Sequence, residues 1–396
     1  MTLVDIISNG GLLCDGDWIE KKDQDVRGKV RLIQLADIGD GEFKDKSSKY
    51  ITLETAERLH CTFLEKGDIL IARLPEPLGR ACIFPLEGAY ITAVDIAILR
   101  IKDISINPQY IMYLINSSTF RSQIKQYESG TTRKRISRKN LEKIEFSLPN
   151  LEIQNRIVAR IEELFSKLDK AVDTLKTTKE QLDVYRQAVL KDAFSDFEKK
   201  DSIRNLTTVV TSGSRGWAKY YSENGALFVR IGNLTHSGID IDFSDIQHIT
   251  PPDNAEGIRT RLQPNDVLVS ITADLGSIGF VSKKGEEAYI NQHIALVRFQ
   301  NPVQGRFMAW YLRSEYGQKD LLKNKRGGGK LGLGLDDIRD TPVPIVDDIT
   351  AKGIVGNIEE QLSVCDSIEK TVDTALAQAD AMRQSILKQA FEEGSV

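Results

Sequence analysis

The stretch "RQAVLKDAF", Arg186–Phe194, returns almost letter for letter as "RQSILKQAF", Arg383–Phe391, 197 positions later in a chain of 396 residues. Earlier segments answer one another in the same way. "IALVR" (Ile294–Arg298) matches "IAILR" (Ile96–Arg100), and "NDVLVS" (Asn265–Ser270) matches "GDILIA" (Gly67–Ala72), each 198 positions apart. "AYINQHIA" (Ala288–Ala295) repeats "AYITAVDIA" (Ala89–Ala97) with one residue fewer, and "GW" at Gly216–Trp217 faces "DW" at Asp17–Trp18. A nearly constant offset from end to end identifies two copies of one unit, roughly 1–198 and 199–396.

Each copy changes periodicity partway. Short β-branched runs such as "DILIAR", "YITAVDIAILRI" and "DVLVSI", punctuated by Gly, Pro and Asp, predict small strands of an α/β (α+β) globule over 1–147 and again over 202–342. "NPQYIMYLINSSTFRSQIKQY" and its partner "NPVQGRFMAWYLRSEYGQKDLL" predict helices, with apolar residues three and four apart. The remainder, 148–201 and 343–396, predicts a long spacer helix in each copy. An apolar residue returns every seven positions at Ile161, Leu168, Leu175, Leu182 and Val189, with a companion row at Leu164, Ala171, Thr178 and Tyr185. The second copy keeps the phase: Ile358, Cys365, Val372, Ala379 and Ile386, with Gln361, Ile368, Ala375 and Met382. Free of Pro and Gly between Glu162 and Ser195 and between Ile358 and Glu393, each run is expected to form one rod on the order of 60 Å long. Chain order makes such rods antiparallel, a two-helix coiled coil separating two duplicated globules in a dumbbell.

Composition is that of a globular protein, 41% hydrophobic and 28% charged. No segment has the run of apolar residues that spans a bilayer, and the N-terminus lacks the basic flank and apolar core of a signal peptide, so a cytoplasmic protein is expected. Cys14, Cys61, Cys82 and Cys365 form no C-x-x-C pair, and the four histidines form no ligand set, which predicts reduced thiols and no metal. "KRGGGKLGLG" (Lys325–Gly334) fails the phosphate-loop pattern twice, at Asn324 and Leu331, and Asp337 stands where a dinucleotide fingerprint needs Gly. "NPQY" (Asn107–Tyr110) resembles a methyltransferase base-holding motif but opens a helix with no cofactor loop before it. Asp5 with Glu20 and Lys22 sketches a nuclease triplet of a kind common on solvated loops. The chain is therefore expected to catalyse nothing by itself and to need no cofactor.

The overall charge is −4, but it is unevenly placed. Arg121–Lys143 carries eight basic against two acidic residues, the matching Arg313–Lys330 six against two, and Ile345–Val396 four against ten. Two Gly- and cation-rich loops at equivalent places in a duplicated unit suit backbone approach to phosphates and counterion release. The candidate DNA contacts are Arg133, Lys134, Arg135, Arg138 and Lys139 in the first copy. In the second they are Lys325, Arg326 and Lys330, with Arg215, Trp217 and Lys219 of "GSRGWAKYY" (Gly213–Tyr221) as a second aromatic and basic loop.

Taken together, "GSRGWAKYYSENGALFVRIGNL", "GDILIAR", "LPNLEIQNRIVARIEELFSKLD" and the terminal "RQSILKQAF" resemble the specificity subunits of type I restriction-modification systems, over essentially the whole chain. The resemblance implies two target-recognition domains that each read one half of a split, asymmetric site on double-stranded DNA. It also implies helical spacers that dock two methyltransferase subunits and, where the system has them, restriction/translocase subunits. Adenine methylation and ATP-driven cleavage would belong to those partners. The sequence departs from the family pattern after the first globule, where Pro149 is followed by Asn150 in place of a second Pro. In the second copy Ala351 takes the place of Gln154, and Gly353 and Gly356 weaken the helix start. A non-DNA coiled-coil adaptor is the alternative from another class, and the autonomous nuclease a weaker one.

Overall fold

A computed structural model describes residues 1–7, 10–198, 200–253, 255–282, 286–323, 325–326 and 331–393. Its contacts divide the chain into two compact units: Met1–Leu175 with Thr374–Val396, and Lys176–Asp373.

In the first unit, strands β1 (Leu12–Asp15), β2 (Val30–Ile33), β3 (Lys49–Ile51), β4 (Ile69–Ala72), β5 (Ala81–Ile83), β6 (Tyr90–Thr92) and β7 (Ile96–Arg100) build two sheets. The larger is antiparallel in the order β1-β7-β4-β5; the smaller is β3-β2-β6, with β2 parallel to β6. Every residue of β4, "ILIA", is buried because both sheet faces are covered, so its sequence runs apolar without alternation. Ile69 and Ile71 pack with Ile111 and Ile115, while Leu70 and Ala72 pack with Ile33 and Phe84 on the other side. The segment predicted as helical forms two helices, α2 (Pro108–Asn116) and α3 (Ser118–Gln126), after the short α1 (Leu53–Arg58). Ser117 between them is extended, and its hydroxyl caps α3 by accepting the Phe120 N–H at 3.3 Å. A short α4 (Arg138–Leu141) precedes the long α5 (Leu151–Ala193).

The second unit repeats this plan with β8 (Lys200–Ser202), α6 (Ile203–Leu206), β9 (Thr207–Ser212), β10 (Tyr221–Ser222), β11 (Ala226–Val229), β12 (Gln247–Ile249), α7 (Ala255–Thr260), β13 (Val267–Ser270), β14 (Ile278–Phe280), β15 (Ala288–Ile290) and β16 (Ile294–Phe299). Then come α8 (Gly305–Arg313), α9 (Glu315–Leu321), α10 (Leu335–Arg339), β17 (Pro342–Pro344) and α11 (Asp348–Glu393). The order β9-β16-β13-β14 is that of β1-β7-β4-β5, and β12-β11-β15 is that of β3-β2-β6. Ser314 breaks α8 from α9 as Ser117 breaks α2 from α3.

The matching peptides prove to be neighbours in space. Asp68 of "GDILIA" sits at the start of β4, and Arg100 of "IAILR" at the end of β7. The Arg100 guanidinium donates from Nε and Nη2 to the two Asp68 oxygens, both at 2.7 Å, and Asp68 also accepts the Glu65 N–H. Asp266 and Arg298 make the same fork at 2.7 Å in the second unit, with Gln263 in the place of Glu65. Both carboxylates are buried, which this bidentate geometry makes tolerable.

The duplicated nonapeptides end the long helices, and each completes the globule of the other copy. Leu387, Ala390 and Phe391 join the core of the first unit, with the Phe391 ring edge-on to Tyr110 at 5.3 Å. Val189, Leu190 and Phe194 join the core of the second, and Phe194 meets Phe307, the counterpart of Tyr110, at 5.5 Å.

Within each unit the two long helices lie antiparallel. In the second, Lys179 pairs with Asp373 at 2.8 Å, and Arg186 with Asp366 at 2.6 Å and Glu369 at 2.8 Å. In the first, Arg383 pairs with Asp169 and lies 4.7 Å over the Phe165 ring. Ile161, Leu182, Val189, Ile358, Cys365, Val372, Ala379 and Ile386 are buried as the heptad predicts, and Leu168 and Leu175 half-buried. Ile368 and Met382 correct that reading: they are 40% and 53% exposed. The companion row runs one residue later, through Phe165, Val172, Lys179 and Arg186, and through Leu362, Glu369, Leu376 and Arg383. Long charged side chains cover the seam with their stems and pair at their tips, so they looked like surface in the sequence.

The exchange of Gln154 for Ala351 is compensated. Gln154 is buried, accepts the Asn107 N–H at 2.8 Å and donates to the Pro149 carbonyl at 2.8 Å. In the second copy Gln304, at the position of Asn107, donates to the Val346 carbonyl at 2.9 Å, and α11 runs unbroken through Gly353 and Gly356.

Phe194→Ala is expected to cost about 3–5 kcal/mol, as for a buried ring in an aromatic cluster, and the half-buried Phe391→Ala less. In hydrogen exchange the protection lost should fall in residues 202–342 for Phe194→Ala and in 1–147 for Phe391→Ala. Loss confined to each residue's own copy would contradict the exchange of helix ends.

Candidate nucleic-acid interface

Two loops leave equivalent points of the two globules on the same frame. In the first unit, Ser129 and Arg135 exchange backbone hydrogen bonds, each 2.9 Å, and close a five-residue loop. Gly130 opens it at φ +98°, where a Cβ would stand 2.3 Å from the Arg133 carbonyl oxygen; only Gly fits. The next residue, Ile136, is fully buried and its N–H donates to the Arg73 carbonyl at 3.1 Å. In the second unit, Arg326 and Gly332 exchange bonds of 3.0 and 2.8 Å, and Leu333 donates to the Ile271 carbonyl at 2.9 Å. The anchors repeat while the tips differ.

The predicted contacts divide by their partners. Arg133, Arg135 and Lys139 are exposed with no side-chain partner among the described residues. Lys134 is paired with Glu128 at 2.7 Å. Arg138 is turned back onto Glu142 and lies 3.5 Å from Asp15. Lys325 is exposed, and Arg326 holds Asp337 at 2.9 Å through one nitrogen while remaining 78% exposed. Lys330 lies outside the described residues. Arg215 is exposed with no partner among the described residues, and Lys219 stands 4.9 Å over the Tyr220 ring.

Trp217 is a correction. Only 2% exposed, it stacks on Phe228 with centroids 5.3 Å apart and planes at 6°, with Tyr289 at 5.5 Å. It is at the core packed on the β10-β12-β11-β15 sheet, where burial also pushes the Tyr289 hydroxyl up to about 12. The preceding Gly216, at φ +84°, turns the chain so that Arg215 faces solvent while the indole goes inward.

Arg215 and Arg326 border an open concavity of about 560 Å³, whose walls also include Thr272, Ala273, His293 and Leu331. The Thr272 hydroxyl meets His293 Nδ1 in a short hydrogen bond, and Gln292 Nε2 lies 2.9 Å from His293 Nε2. Thr272 and His293 were not singled out from the sequence. The signal that could have found His293 is the one-residue difference between "AYINQHIA" and "AYITAVDIA", which marks a rebuilt loop.

Among the described residues, a Ser–His–Asp grouping also occurs at His236. Ser277 and Asp274 contact His236 at 3.1 and 2.8 Å, and His236 holds the Asp274 carboxyl below its usual range. Both meet the same ring nitrogen, so the ring cannot be oriented by one while taking a proton from the other. Glu20 is engaged by Lys22 and Trp18, and Asp5 by Thr2. Among the described residues no cluster of three or more His, Cys, Asp or Glu could hold a metal ion, and no helix is long and apolar enough to cross a membrane.

Comparison with known proteins gives this geometry a context. Residues 11–183 match the family model of the type I restriction modification DNA specificity domain. The chain is 25% identical over 305 residues to the type I restriction enzyme EcoBI specificity subunit of Escherichia coli, covering 69% of this chain and 63% of that protein. It is 27% identical over 311 residues to the StySPI specificity subunit of Salmonella potsdam, covering 72% and 65%. The matches thus span a little under two thirds of those relatives. The fold matches a chain from a structural study of complex assembly and conformational transition of the type I R-M system, with TM-score 0.71, 16% identity and 97% and 98% of the two chains covered. It also matches the crystal structure of the HsdS subunit from Thermoanaerobacter tengcongensis, with TM-score 0.56, 16% identity and 97% of each chain covered.

Trp217→Ala should lower stability by about 3–5 kcal/mol in urea titrations, whereas Arg215→Ala should stay within about 0.5 kcal/mol of the parent. Equal effects would mean that the buried-ring and free-cation assignments are wrong.

Proposed function

Since residues 11–183 match the model of the type I restriction modification DNA specificity domain and the chain resembles specificity subunits along most of its length, we propose that it is a non-catalytic DNA-recognition subunit. The globules of 1–147 and 202–342 are target-recognition domains, each reading one short motif of a bipartite, asymmetric site on double-stranded DNA. The helical segments 148–201 and 343–396 set the gap between motifs and dock methyltransferase subunits, with restriction subunits where the system has them. Adenine methylation and cleavage belong to those partners.

The observation that carries this reading is the pair of loops on identical anchors, Ser129–Arg135 and Arg326–Gly332, each bearing exposed cations on a globule whose topology is duplicated. A common frame with different tips is what two readers of unlike motifs require. Phosphate contacts by free cations such as Arg133, Arg135 and Lys139 position the duplex, and side chains reaching base edges supply the sequence. Partner docking is supported by apolar side chains left exposed on the long helices, Val184, Val364 and Ile368 in the second unit and Met382 in the first.

Replacing Arg133, Lys134 and Arg135 together by alanine should weaken binding to all duplexes and reduce the slope of log K against log salt by about two, since Lys134 is already neutralised by Glu128. An unchanged slope between about 50 and 200 mM salt would remove this loop from the interface. Inserting four residues into α5 near Leu175 should alter the number of base pairs between half-sites while leaving both motifs intact, as read by mapping methylated adenines. An unaltered gap would refute the role of the helices as the spacer.

A further inference from the structure

Among the described residues, the polar lining of the concavity between Arg215 and Arg326 is made mostly of donors, with Asp337 its one carboxylate. Among the described residues Arg215 is exposed and unpaired, and Arg326 is held by Asp337 through one nitrogen with no other side-chain partner. The Gln292 amide donates to His293 Nε2, which places the ring proton on Nδ1, where it donates to the Thr272 oxygen. The hydroxyl hydrogen of Thr272 is then available to the concavity as a third donor. Both Asp337 oxygens are engaged, one by Arg326 and the other by the Gly334 N–H at 2.7 Å. Donors outnumber acceptors in the described lining, which favours a ligand that brings acceptors.

We propose that this concavity reads a guanine in the half-site of the second globule, an inference that rests on the DNA-recognition reading above. The major-groove edge of guanine offers two adjacent acceptors, O6 and N7, whereas adenine and cytosine present an amino donor that would face the guanidiniums. Backbone phosphate shares the acceptor chemistry. The lining, however, also includes the apolar Ala273 and Leu331, which suit the flat edge of a base better than a hydrated anion. The first copy has no such set. Counting from the paired strands, which corrects the sequence match of Trp217 with Trp18, Arg215 corresponds to Trp18, Thr272 to Leu74 and His293 to Asp95. Trp18 is 71% exposed and Leu74 buried, so an indole and a carboxylate stand where the second copy has a guanidinium and an imidazole. Two globules on one frame thereby present different chemistry to DNA.

The test is selection from a randomised duplex library by the full-length chain purified with its co-expressed methyltransferase partner, followed by sequencing and by binding at several salt concentrations. Arg215→Ala and Arg326→Ala should each lower the preference for guanine at one position of one half-site by roughly tenfold or more, with the other half-site unchanged. Arg215→Lys, which keeps the charge and loses the fork, should lose the same preference while keeping the salt slope. If the motif is unaltered while affinity for all duplexes falls together and the slope drops by about one per arginine, the concavity holds a phosphate and the proposal is wrong. No change in either readout overturns it as well. A parent complex that selects no motif at all would defeat the DNA-recognition reading itself, a result distinct from failure of the guanine assignment alone. Thermal melting of each variant checks that the exposed substitutions leave the fold intact.

Discussion

The end of each long helix is buried in the globule of the other copy, and the rest of the structure depends on that exchange. Phe194 and Phe391 are the plugs: each meets an aromatic ring at the same place on the first helix of its socket, Phe307 or Tyr110. Because the helix that begins beside one globule ends in the core of the next, neither copy completes its own hydrophobic core. Duplication is thus a folding requirement as well as a history. This also explains why the nonapeptide is the best-preserved piece of the repeat: its Leu and Phe must fit a socket built by distant sequence.

The helix pair is held by a narrow apolar row flanked by charge. Lys179, Arg186 and Arg383 lay their stems over the seam and pair with Asp373, Glu369, Asp366 and Asp169. Exposed ion pairs contribute little stability, so these act chiefly by fixing register, and the buried helix ends supply most of the hold. The same arrangement leaves Val184, Val364 and Ile368 of the second unit, and Met382 of the first, outside the seam.

The globules are conservative in their supports and variable at their tips. The forked Asp–Arg pair, the serine that breaks the helix and the two-bond closure of the basic loop recur in both. What changes is the chemistry carried on top: an open loop of free arginines in the first, and an arginine-bordered concavity backed by Thr272 and His293 in the second. A rigid shared frame lets the loop residues vary at small cost to stability, since exposed loop side chains pack against little.

The sequence by itself determined the duplication, the mixed globules, the long helices and their antiparallel sense, because strict repetition and heptad spacing are local properties of the chain. It located the basic loops by composition and pointed to the family through combined motifs. Tertiary structure decided which side chains are free. Trp217 looked like a DNA-facing aromatic until Phe228 and Tyr289, distant in sequence, closed over it. Ile368 and Met382 looked like seam residues, yet paired Lys and Arg stems fill the row one position later. Thr272 and His293 were unremarkable in their own segments and form one wall only because β13 and β16 lie side by side. Burial, pairing and convergence depend on residues brought together from far along the chain, so local pattern could mark where function lies but not which atoms carry it.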